Sequence, residues 1–299
     1  MDAGIYEPNR RPMPEATLVT AATGTVGREV VRQLLARGVP VRAGARAPLK
    51  TPFLGSADYM VCDLDKPQTM ASAFEGIQRA FLITPLNERM VEVGCALVEQ
   101  AKACGVEHLV RLSALNAGSS PPATELARAH RAVEEAIEAS GLRYTFLRPN
   151  AFMQNYVTAF GSSIRLEGRL AMPQGRGAVS VVDVRDVAAV AVVALTDARH
   201  QGQSYELTGP EALCNQDVVE ILSQVAHRPI RYVDLSEAQA RTALVSQGVS
   251  GWLVEVFLEL YAMSRQGMAA GVSSAVQEVV GRSPINFRQF ATDYADQFR

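Results

Sequence analysis

From Thr17 onwards the chain alternates regularly between short β-rich runs and longer helical periods, and this alternation leaves few folds open to it. Strands are predicted over residues 17–20, 41–45, 59–62, 80–83, 109–112 and 144–147, with helices over 26–36, 68–74, 89–103 and 125–139. Each of these helices is followed by a glycine, as helix C-termini prefer. This alternation builds βαβ units, and it predicts an α/β fold with a Rossmann-type, doubly wound parallel sheet.

The pattern changes after Pro149. Glycine-containing segments run to Gly177, and a strand over 179–182, an apolar helix from Asp186 and a strand over 204–207 then complete the sheet. Asp186 is predicted to cap that helix, with Asp183 as a structural residue. The remainder is mainly helical, with helices predicted over 216–226, 237–247, 252–266 and 287–298 and one strand over 230–233. We therefore expect a Rossmann domain (16–150 and 179–208), a smaller substrate-cleft domain (151–178 and 209–299) and a flexible tail (1–15).

Composition excludes several classes of function. Basic and acidic residues number 29 and 31, so there is no overall positive field for a nucleic-acid backbone. The longest apolar run, residues 187–195, is about half the ~18 residues of a membrane span. The four cysteines form no CxxC pair and have no nearby histidine, which predicts no metal site and a reducing, cytoplasmic setting. The sequence leaves open whether two copies of the chain form a homodimer.

The segment between the first strand and the first helix has the composition of a phosphate-binding loop. It reads Leu18-Val-Thr-Ala-Ala-Thr-Gly-Thr-Val-Gly27, with Ala21 where a first glycine would stand. In such a loop the backbone N–H groups and a helix N-terminus contact the pyrophosphate of a dinucleotide, while the last glycine allows helix and strand to pack closely. The residues expected to contact the dinucleotide are Ala22, Thr23, Gly24, Thr25, Val26 and Gly27. A tight turn without a ligand is the alternative.

The end of the second strand indicates which dinucleotide is bound. NAD sites place an acid there to bind the ribose hydroxyls, whereas this strand is followed by Arg46 and contains no acid. A guanidinium binds a 2′-phosphate through charge-assisted hydrogen bonds, so we expect NADP(H) as the cofactor. Arg42 and Lys50 could assist. The alternative for Arg46 is an ordinary solvated surface residue.

Two further strand ends face the same crevice, because ligands of such sheets bind at the carboxyl ends of the strands. Asp63 and Leu64 follow the third strand and are predicted to contact the adenine. Thr84 and Pro85 follow the fourth and are predicted to border the nicotinamide ribose. Asp63 could instead cap the next helix, although Asp65 fits that role better.

These segments, together with others further along the chain, resemble the NmrA-like, quinone-oxidoreductase-like branch of the atypical short-chain dehydrogenase/reductases. The matching segments are VTAATGTVG, Arg46, Cys62-Asp-Leu-Asp65, Phe81-Leu-Ile-Thr-Pro85, Ser-Gly-Leu-Arg-Tyr-Thr-Phe-Leu-Arg-Pro149, Asn150-Ala-Phe-Met-Gln-Asn155, Val181-Val-Asp-Val-Arg-Asp186 and Tyr205-Glu-Leu-Thr-Gly-Pro210. The resemblance covers nearly the whole chain from Thr17. It implies an NADP(H)-binding Rossmann domain with a small C-terminal domain that closes a cleft over the nicotinamide. It leaves the activity open, because the family includes both reductases and proteins that only sense the dinucleotide.

The sequence lacks the catalytic pair of typical short-chain dehydrogenases. That pair is Tyr-x-x-x-Lys, in which the lysine lowers the pKa of the tyrosine so that the phenol can exchange a proton with a carbonyl substrate. None of the eight tyrosines has a lysine four residues later, and Tyr6, Tyr144 and Tyr261 have arginine there. Alcohol dehydrogenation by that mechanism is therefore not expected.

Ser113 and His130 are the candidate catalytic residues. Ser113 follows the fifth strand, where the superfamily places a catalytic serine, and it is also expected to contact the cofactor; a local hydrogen-bond role is the alternative. His130 and Glu134 are four residues apart and so share a helix face, where the carboxylate could fix the imidazole tautomer. Their position resembles that of the family's histidine and glutamate, and Glu135 stands where some reductases carry lysine. An exposed helix pair is the alternative.

The segment after Pro149 is predicted to border both ligands. Asn150 is expected to contact the cofactor. Phe152, Met153 and Asn155 resemble the family's pocket-lining segment and are predicted to form a wall for a flat aromatic substrate, although Phe152 and Met153 could equally belong to the core.

Two functions are expected ahead of a third, a structural subunit of a complex with a vestigial cofactor site and no dinucleotide affinity. The first is an NADPH-dependent reductase that transfers hydride to a small, planar, electron-poor acceptor of the quinone, enone or imine type, since such acceptors need little acid catalysis. The second is a redox sensor that binds NADP(H) without turnover and acts through a protein partner. The missing tyrosine–lysine pair favours the sensor, and the absence of an added interaction segment argues against it.

Overall fold

A parallel sheet forms the centre of the molecule, whose computed structural model describes residues 16–47 and 55–299. The predicted tail over residues 1–15, Tyr6 and Lys50 lie outside the described residues. The strands are β1 (Thr17–Val19), β2 (Val41–Ala45), β3 (Asp58–Val61), β4 (Arg79–Leu82), β5 (His108–Leu112), β6 (Arg143–Pro149), β7 (Arg169–Met172), β8 (Gln203–Leu207) and β9 (Arg231–Asp234). Seven of them form one sheet in the order β3-β2-β1-β4-β5-β6-β8, with every neighbouring pair parallel. This is the order of a doubly wound Rossmann sheet, as predicted.

The helices follow the strands in the alternation that the sequence indicates. They are α1 (Thr25–Ala36), α2 (Met70–Phe74), α3 (Met90–Ala103), α4 (Glu125–Ser140), α5 (Asn155–Thr158), α6 (Gly161–Glu167), α7 (Val184–Thr196), α8 (Asn215–Ala226), α9 (Glu237–Ser246), α10 (Gly251–Arg265), α11 (Ala275–Val280) and α12 (Phe287–Asp293). The glycines at the ends of four predicted helices, at positions 38, 76, 105 and 141, all have φ between 71° and 79°. They therefore adopt the left-handed conformation that ends a helix. None of the described helices is long and apolar enough to span a bilayer.

Helices cover both faces of the sheet. α1, α7 and α11 contribute to one apolar cluster, and α2, α3 and α4 contribute to the other. α7 is apolar nearly all round and almost entirely buried, with charged residues only in its first turn. Its burial against α1 explains why the long apolar run in the sequence is a core helix.

A second lobe stands at the carboxyl edge of the sheet. Its core contains residues of α5, α6, α8, α10 and α12, with β7 and β9 paired in parallel as a small separate sheet. The contacts of α9 with α10 add a smaller apolar cluster around Val254 and Leu258. α11 lies within the range assigned to this lobe by sequence, but it packs against α7 and β8 of the main sheet. β7, α5, α6 and α11 were not predicted as elements.

One predicted strand does not join the sheet. Residues 179–182 make only isolated bridges, between Val179 and Leu213 and between Val182 and Phe152. The segment is held on one side by the second lobe and on the other by the chain after β6. It therefore connects the two lobes and is not a sheet strand.

The prediction that Asp186 caps the apolar helix is wrong. The N-cap of α7 is Asp183, whose side chain accepts a hydrogen bond from the backbone N–H of Arg185. Asp186 lies in the first turn, fully buried, where it pairs with Arg282 at 2.7 Å and accepts from the N–H of Ile285 at 2.7 Å. Burial raises the pKa of Asp186 despite these partners. Asp186 therefore anchors the C-terminal segment.

Candidate functional site

The loop between β1 and α1 leaves the N-terminus of α1 open. Gly24 is the N-cap in extended backbone, no side chain caps the helix, and its first turn contains no acid. Thr23, Gly24 and Thr25 are exposed, whereas Ala22 is buried and donates its backbone N–H to Gly44 at 2.9 Å. The first backbone N–H groups of a helix have no partner within the helix, so this end of α1 presents free donors and a positive dipole. An anion fits that arrangement.

Gly27 and Ala21 define how tightly this loop is folded. A Cβ added at Gly27 would lie 2.9 Å from Ala22 Cα and closer still to the carbonyl oxygen of Ala21. Gly27 therefore permits the close packing that the sequence predicted. Ala21 has φ +47°, in the left-handed region that favours glycine. The loop thus retains the conformation of a glycine at the first position of the motif although alanine occupies it.

A cavity of about 350 Å³ lies between the N-terminal ends of α1 and α7. Its lining residues are Thr23, Thr25, Arg28, Glu29, Gln154, Val184, Arg185 and Tyr294. Gln154 connects the two lobes, because its side-chain N–H donates to Asp183 at 3.0 Å and its oxygen accepts from the backbone of Val184 at 3.0 Å. The cavity therefore adjoins the open loop on the side of the second lobe.

Arg46 and Asp63 lie together at the ends of β2 and β3. Arg46 is exposed, and Asp63 is buried with its carboxylate accepting from the N–H of Asp65 and pairing with Lys66 at 3.3 Å. Burial raises the pKa of Asp63, but the Asp65 N–H, Lys66 and the charge of Arg46 together bring it below its ordinary value. The short 3-10 turn at Pro67–Thr69 has no side-chain cap, so neither Asp63 nor Asp65 acts as the cap considered above.

Arg42 does not assist Arg46. Its guanidinium pairs with Asp58 at 3.2 Å and donates to the carbonyl oxygens of Ala73 and Glu75. These contacts fix β2, β3 and the end of α2 together. Leu64, on the other side of Asp63, packs partly against the apolar cluster beneath α2 and α3.

A fully buried arginine that sequence reasoning missed connects the ends of β4 and β5 to α4. The Nη2 of Arg111 donates to Thr84 Oγ1 at 3.0 Å and lies 3.3 Å from His130 Nδ1, and its Nη1 donates to the carbonyl oxygen of Leu112. Its Nε has no hydrogen-bond partner among the described residues. Burial lowers the pKa of Arg111 to about 10, while Glu134 acts in the opposite direction. Burial and the charge of Arg111 hold the pKa of His130 well below its ordinary value.

Ser113 and Glu134 form a second buried network beside the first. The Ser113 hydroxyl donates to Glu134 Oε1 at 2.6 Å, and Glu134 also accepts from Arg148 at 2.7 and 3.0 Å and from Arg131 at 3.2 Å. Glu134 is fully buried, Ser113 4% exposed and His130 8% exposed. The expectation that Glu134 fixes the imidazole is therefore wrong, because Glu134 binds Ser113 and two arginines while Arg111 binds the ring. The alternative of an exposed helix pair is also wrong.

The tyrosines followed by arginine do not form catalytic pairs in the described part of the chain. Tyr144 lies in β6 with its ring stacked on Phe146, and Arg148 is bound to Glu134. Burial raises the pKa of Tyr261, the opposite of what a catalytic phenol requires. Arg265 pairs with Glu237 and donates to the carbonyl oxygen of Pro173.

The segment after β6 is held by side-chain hydrogen bonds of Asn150 and by the burial of Met153. Asn150 is buried, donates to Ser180 Oγ and to the carbonyl oxygen of Ala269, both at 2.9 Å, and so joins the two lobes. Met153 is 1% exposed in the core of the second lobe, which favours the core alternative. Phe152 is half-buried against the sheet's core and Asn155 is exposed at the start of α5.

The sequence contains a signal for Arg111, which was not predicted as a site residue, and for Asp183, which was not predicted as a helix cap. Arg111 interrupts an otherwise apolar strand, and a charge in a strand of a parallel sheet covered on both faces is expected to be buried and bonded. Asp183 and Asp186 have the spacing of an N-cap and an N3 residue, which indicates a helix start after Asp183. The bond from Gln154 to the start of α7 had no such signal, because it depends on how the two lobes pack.

Comparison with known proteins gives a consistent result. The profile of the NmrA-like family matches residues 13–288. An NAD(P)H azoreductase of Xenophilus azovorans is 37% identical over 283 residues, covering 94% of this chain and 98% of that protein. A (4-alkanoyl-5-oxo-2,5-dihydrofuran-3-yl)methyl phosphate reductase of Streptomyces griseus is also 37% identical, over 288 residues and with the same coverage. The NADPH complex of the quinone oxidoreductase QOR2 from Escherichia coli superimposes with a TM-score of 0.82 at 25% identity, covering 93% of this chain and 99% of that one.

Proposed function

The chain belongs to the NmrA-like family, and we propose that it is an NADPH-dependent reductase that transfers hydride to a small, planar, electron-poor acceptor. The quinone, enone and imine classes fit this description. Its relatives support a reductase in general, since they include an azoreductase, a quinone oxidoreductase and a reductase named for an unsaturated lactone.

The observation that carries the proposal is the open N-terminus of α1 with an arginine at the end of the neighbouring strand. Residues 22–27 would hold the pyrophosphate through the free N–H groups of α1, as the lack of any side-chain cap and the close packing at Gly27 support. Arg46 would bind the 2′-phosphate. When bound, NADPH supplies the hydride.

The residues around the ends of β4, β5 and β6 would border the nicotinamide and the acceptor. Thr84, Ser113 and His130 come together there through Arg111 and Glu134. Phe152 and Asn155, in the segment after β6, would form part of the acceptor wall. The sequence has no Tyr-x-x-x-Lys pair. An acceptor that stabilises negative charge by conjugation needs little proton transfer, so the site's task is mainly to position the two reactants.

The experiment measures the binding of the dinucleotides first and the oxidation of NADPH by acceptors second. Purified protein is titrated with NADPH and NADH by calorimetry, and NADPH oxidation is then followed at saturating cofactor with 1,4-benzoquinones, enones, imines and an aromatic azo dye. Acceptor-dependent oxidation that favours NADPH supports the proposal. No binding of either dinucleotide would contradict it.

A catalytically silent redox sensor is the second candidate. The Ser113 hydroxyl favours it, because its proton is donated to the fully buried Glu134 and is not free for a substrate oxygen. Tight NADPH binding with no oxidation in any acceptor class would favour the sensor over the reductase.

A further inference from the structure

The contact between Arg111 and His130 determines which nitrogen of the imidazole holds the proton. Arg111 Nη2 lies 3.3 Å from His130 Nδ1. A guanidinium has donors and no acceptor, so Nδ1 can join this hydrogen bond only as a lone pair. A neutral imidazole that accepts at Nδ1 has its proton on Nε2.

The charges around the ring keep it neutral. Arg111 from β5 is the charged group in contact with His130, and it is itself fully buried. Glu134 is on the same helix, but Arg131 from α4 and Arg148 from β6 bind its carboxylate. A second positive charge on His130 would therefore face Arg111 without a carboxylate of its own.

Ser113 does not provide an equivalent donor. Its single hydroxyl proton is directed to Glu134 at 2.6 Å, which leaves only lone pairs for other partners. Of the two candidate catalytic side chains, His130 is thus the one with an N–H that the two networks leave uncommitted.

We propose that Arg111 is a positioning residue that holds His130 as the neutral Nε2–H tautomer, so that this N–H donates a hydrogen bond to the acceptor atom where negative charge develops. The inference rests on the proposed function. His130 then acts as a hydrogen-bond donor and keeps its proton. In the overall reaction the hydride comes from NADPH, which leaves as NADP⁺, and the proton that completes the reduction comes from solvent water.

The first test needs no substrate, and a variant serves only to assign the spectrum. The chain has four histidines, so the ¹⁵N-labelled imidazoles can be assigned with a His130→Gln sample. Two-bond ¹H–¹⁵N spectra at pH 6, 7 and 8 should show His130 protonated at Nε2 alone throughout. A proton on Nδ1, or an imidazolium at pH 6, would overturn the inference.

The second test replaces Arg111 by Met and by Lys. Methionine removes both the hydrogen-bond donor and the buried charge. An apolar residue of similar length in place of a buried ion is often tolerated, and thermal melting checks that the variant is folded. In Arg111→Met we expect the imidazole to populate both tautomers and to titrate nearer pH 6.5. With an acceptor that the wild type reduces, kcat should fall about 10²-fold, as for loss of one oriented donor, with the KM for NADPH within about twofold. Arg111→Lys, which keeps an N–H donor, should restore the Nε2–H tautomer and most of kcat.

The outcomes separate the two proposals. Wild-type protein that reduces no acceptor contradicts the proposed function, while the spectra still decide the tautomer. If Arg111→Met leaves the tautomer of His130 and kcat unchanged, and its imidazole does not titrate between pH 6 and 8, the role of Arg111 is refuted. The proposed reductase activity stands in that case.

Discussion

Replacing Arg46 tests the assignment of the 2′-phosphate site. The guanidinium is exposed, so its hydrogen bonds to a phosphate should contribute near the lower end for charged bonds, about 1.5–2 kcal/mol. Arg46→Ala should therefore weaken NADPH binding about 10- to 30-fold. An aspartate adds repulsion of about 1 kcal/mol per unit of phosphate charge at ~4 Å in water. For Arg46→Asp we expect the loss of NADPH affinity to reach roughly 100-fold.

NADH has no 2′-phosphate, so its affinity should change less than about threefold in both variants. The assay is calorimetric titration of each dinucleotide at low and at high salt, because screening should reduce the difference between wild type and variant. Arg37→Ala is the matched control: Arg37 is also exposed, but it ends α1, about 18 Å from the phosphate loop. It should bind both dinucleotides as the wild type does.

The reasoning about Arg46 is refuted by equal losses for NADPH and NADH, which would mean that the variant disturbs the site in general. It is also refuted if Arg46→Ala leaves NADPH affinity unchanged. In that case Arg46 is the solvated surface residue of the alternative interpretation.

Three further changes have expected outcomes. Ala21→Gly removes the left-handed strain of alanine at φ +47° and should raise the free energy of unfolding by about 1 kcal/mol in urea titrations. Gly27→Val should leave the main fold intact in circular dichroism but abolish measurable NADPH binding, because its Cβ overlaps the backbone of Ala22. Burial lowers the pKa of His108 to about 4 from an ordinary 6.5, so the unfolded chain binds the proton first as the pH falls. Wild type should lose up to about 3 kcal/mol more stability between pH 6.5 and 4 than His108→Gln does, in urea titrations across that range.

Much of the sheet could be predicted because its signals are local. β2 was predicted at its observed limits, and the other strands of the main sheet apart from β6 differ by one residue at one or both ends. Short apolar runs between glycine-ended helices specify both the element and its place in a parallel sheet. The segment from Pro149 to Gly177 was harder to predict, since α5 and α6 are short and are stabilised by packing within the second lobe.

The candidate site also contains residues whose positions follow from local sequence signals and residues whose positions do not. The phosphate loop and Arg46 belong to one strand-turn-helix unit and its neighbour, so their spacing indicates their positions. Apart from Arg131 of the same helix, the partners of His130 and Glu134 come from β5, β6 and the residue after β5, and helical spacing alone wrongly paired these two with each other. Arg111, Arg148 and Ser113 reach α4 only because β5 and β6 pack beneath it.

The decisive measurement for the proposed reductase activity is NADPH oxidation in the presence of acceptors. Loss of NADPH absorbance is followed with the quinone, enone, imine and azo panel, with NADH in parallel and the Gly27→Val variant as the blank. We expect oxidation that depends on the acceptor, is faster with NADPH than with NADH, and is absent from the blank. NADPH that binds but is never oxidised in any acceptor class would contradict the reductase.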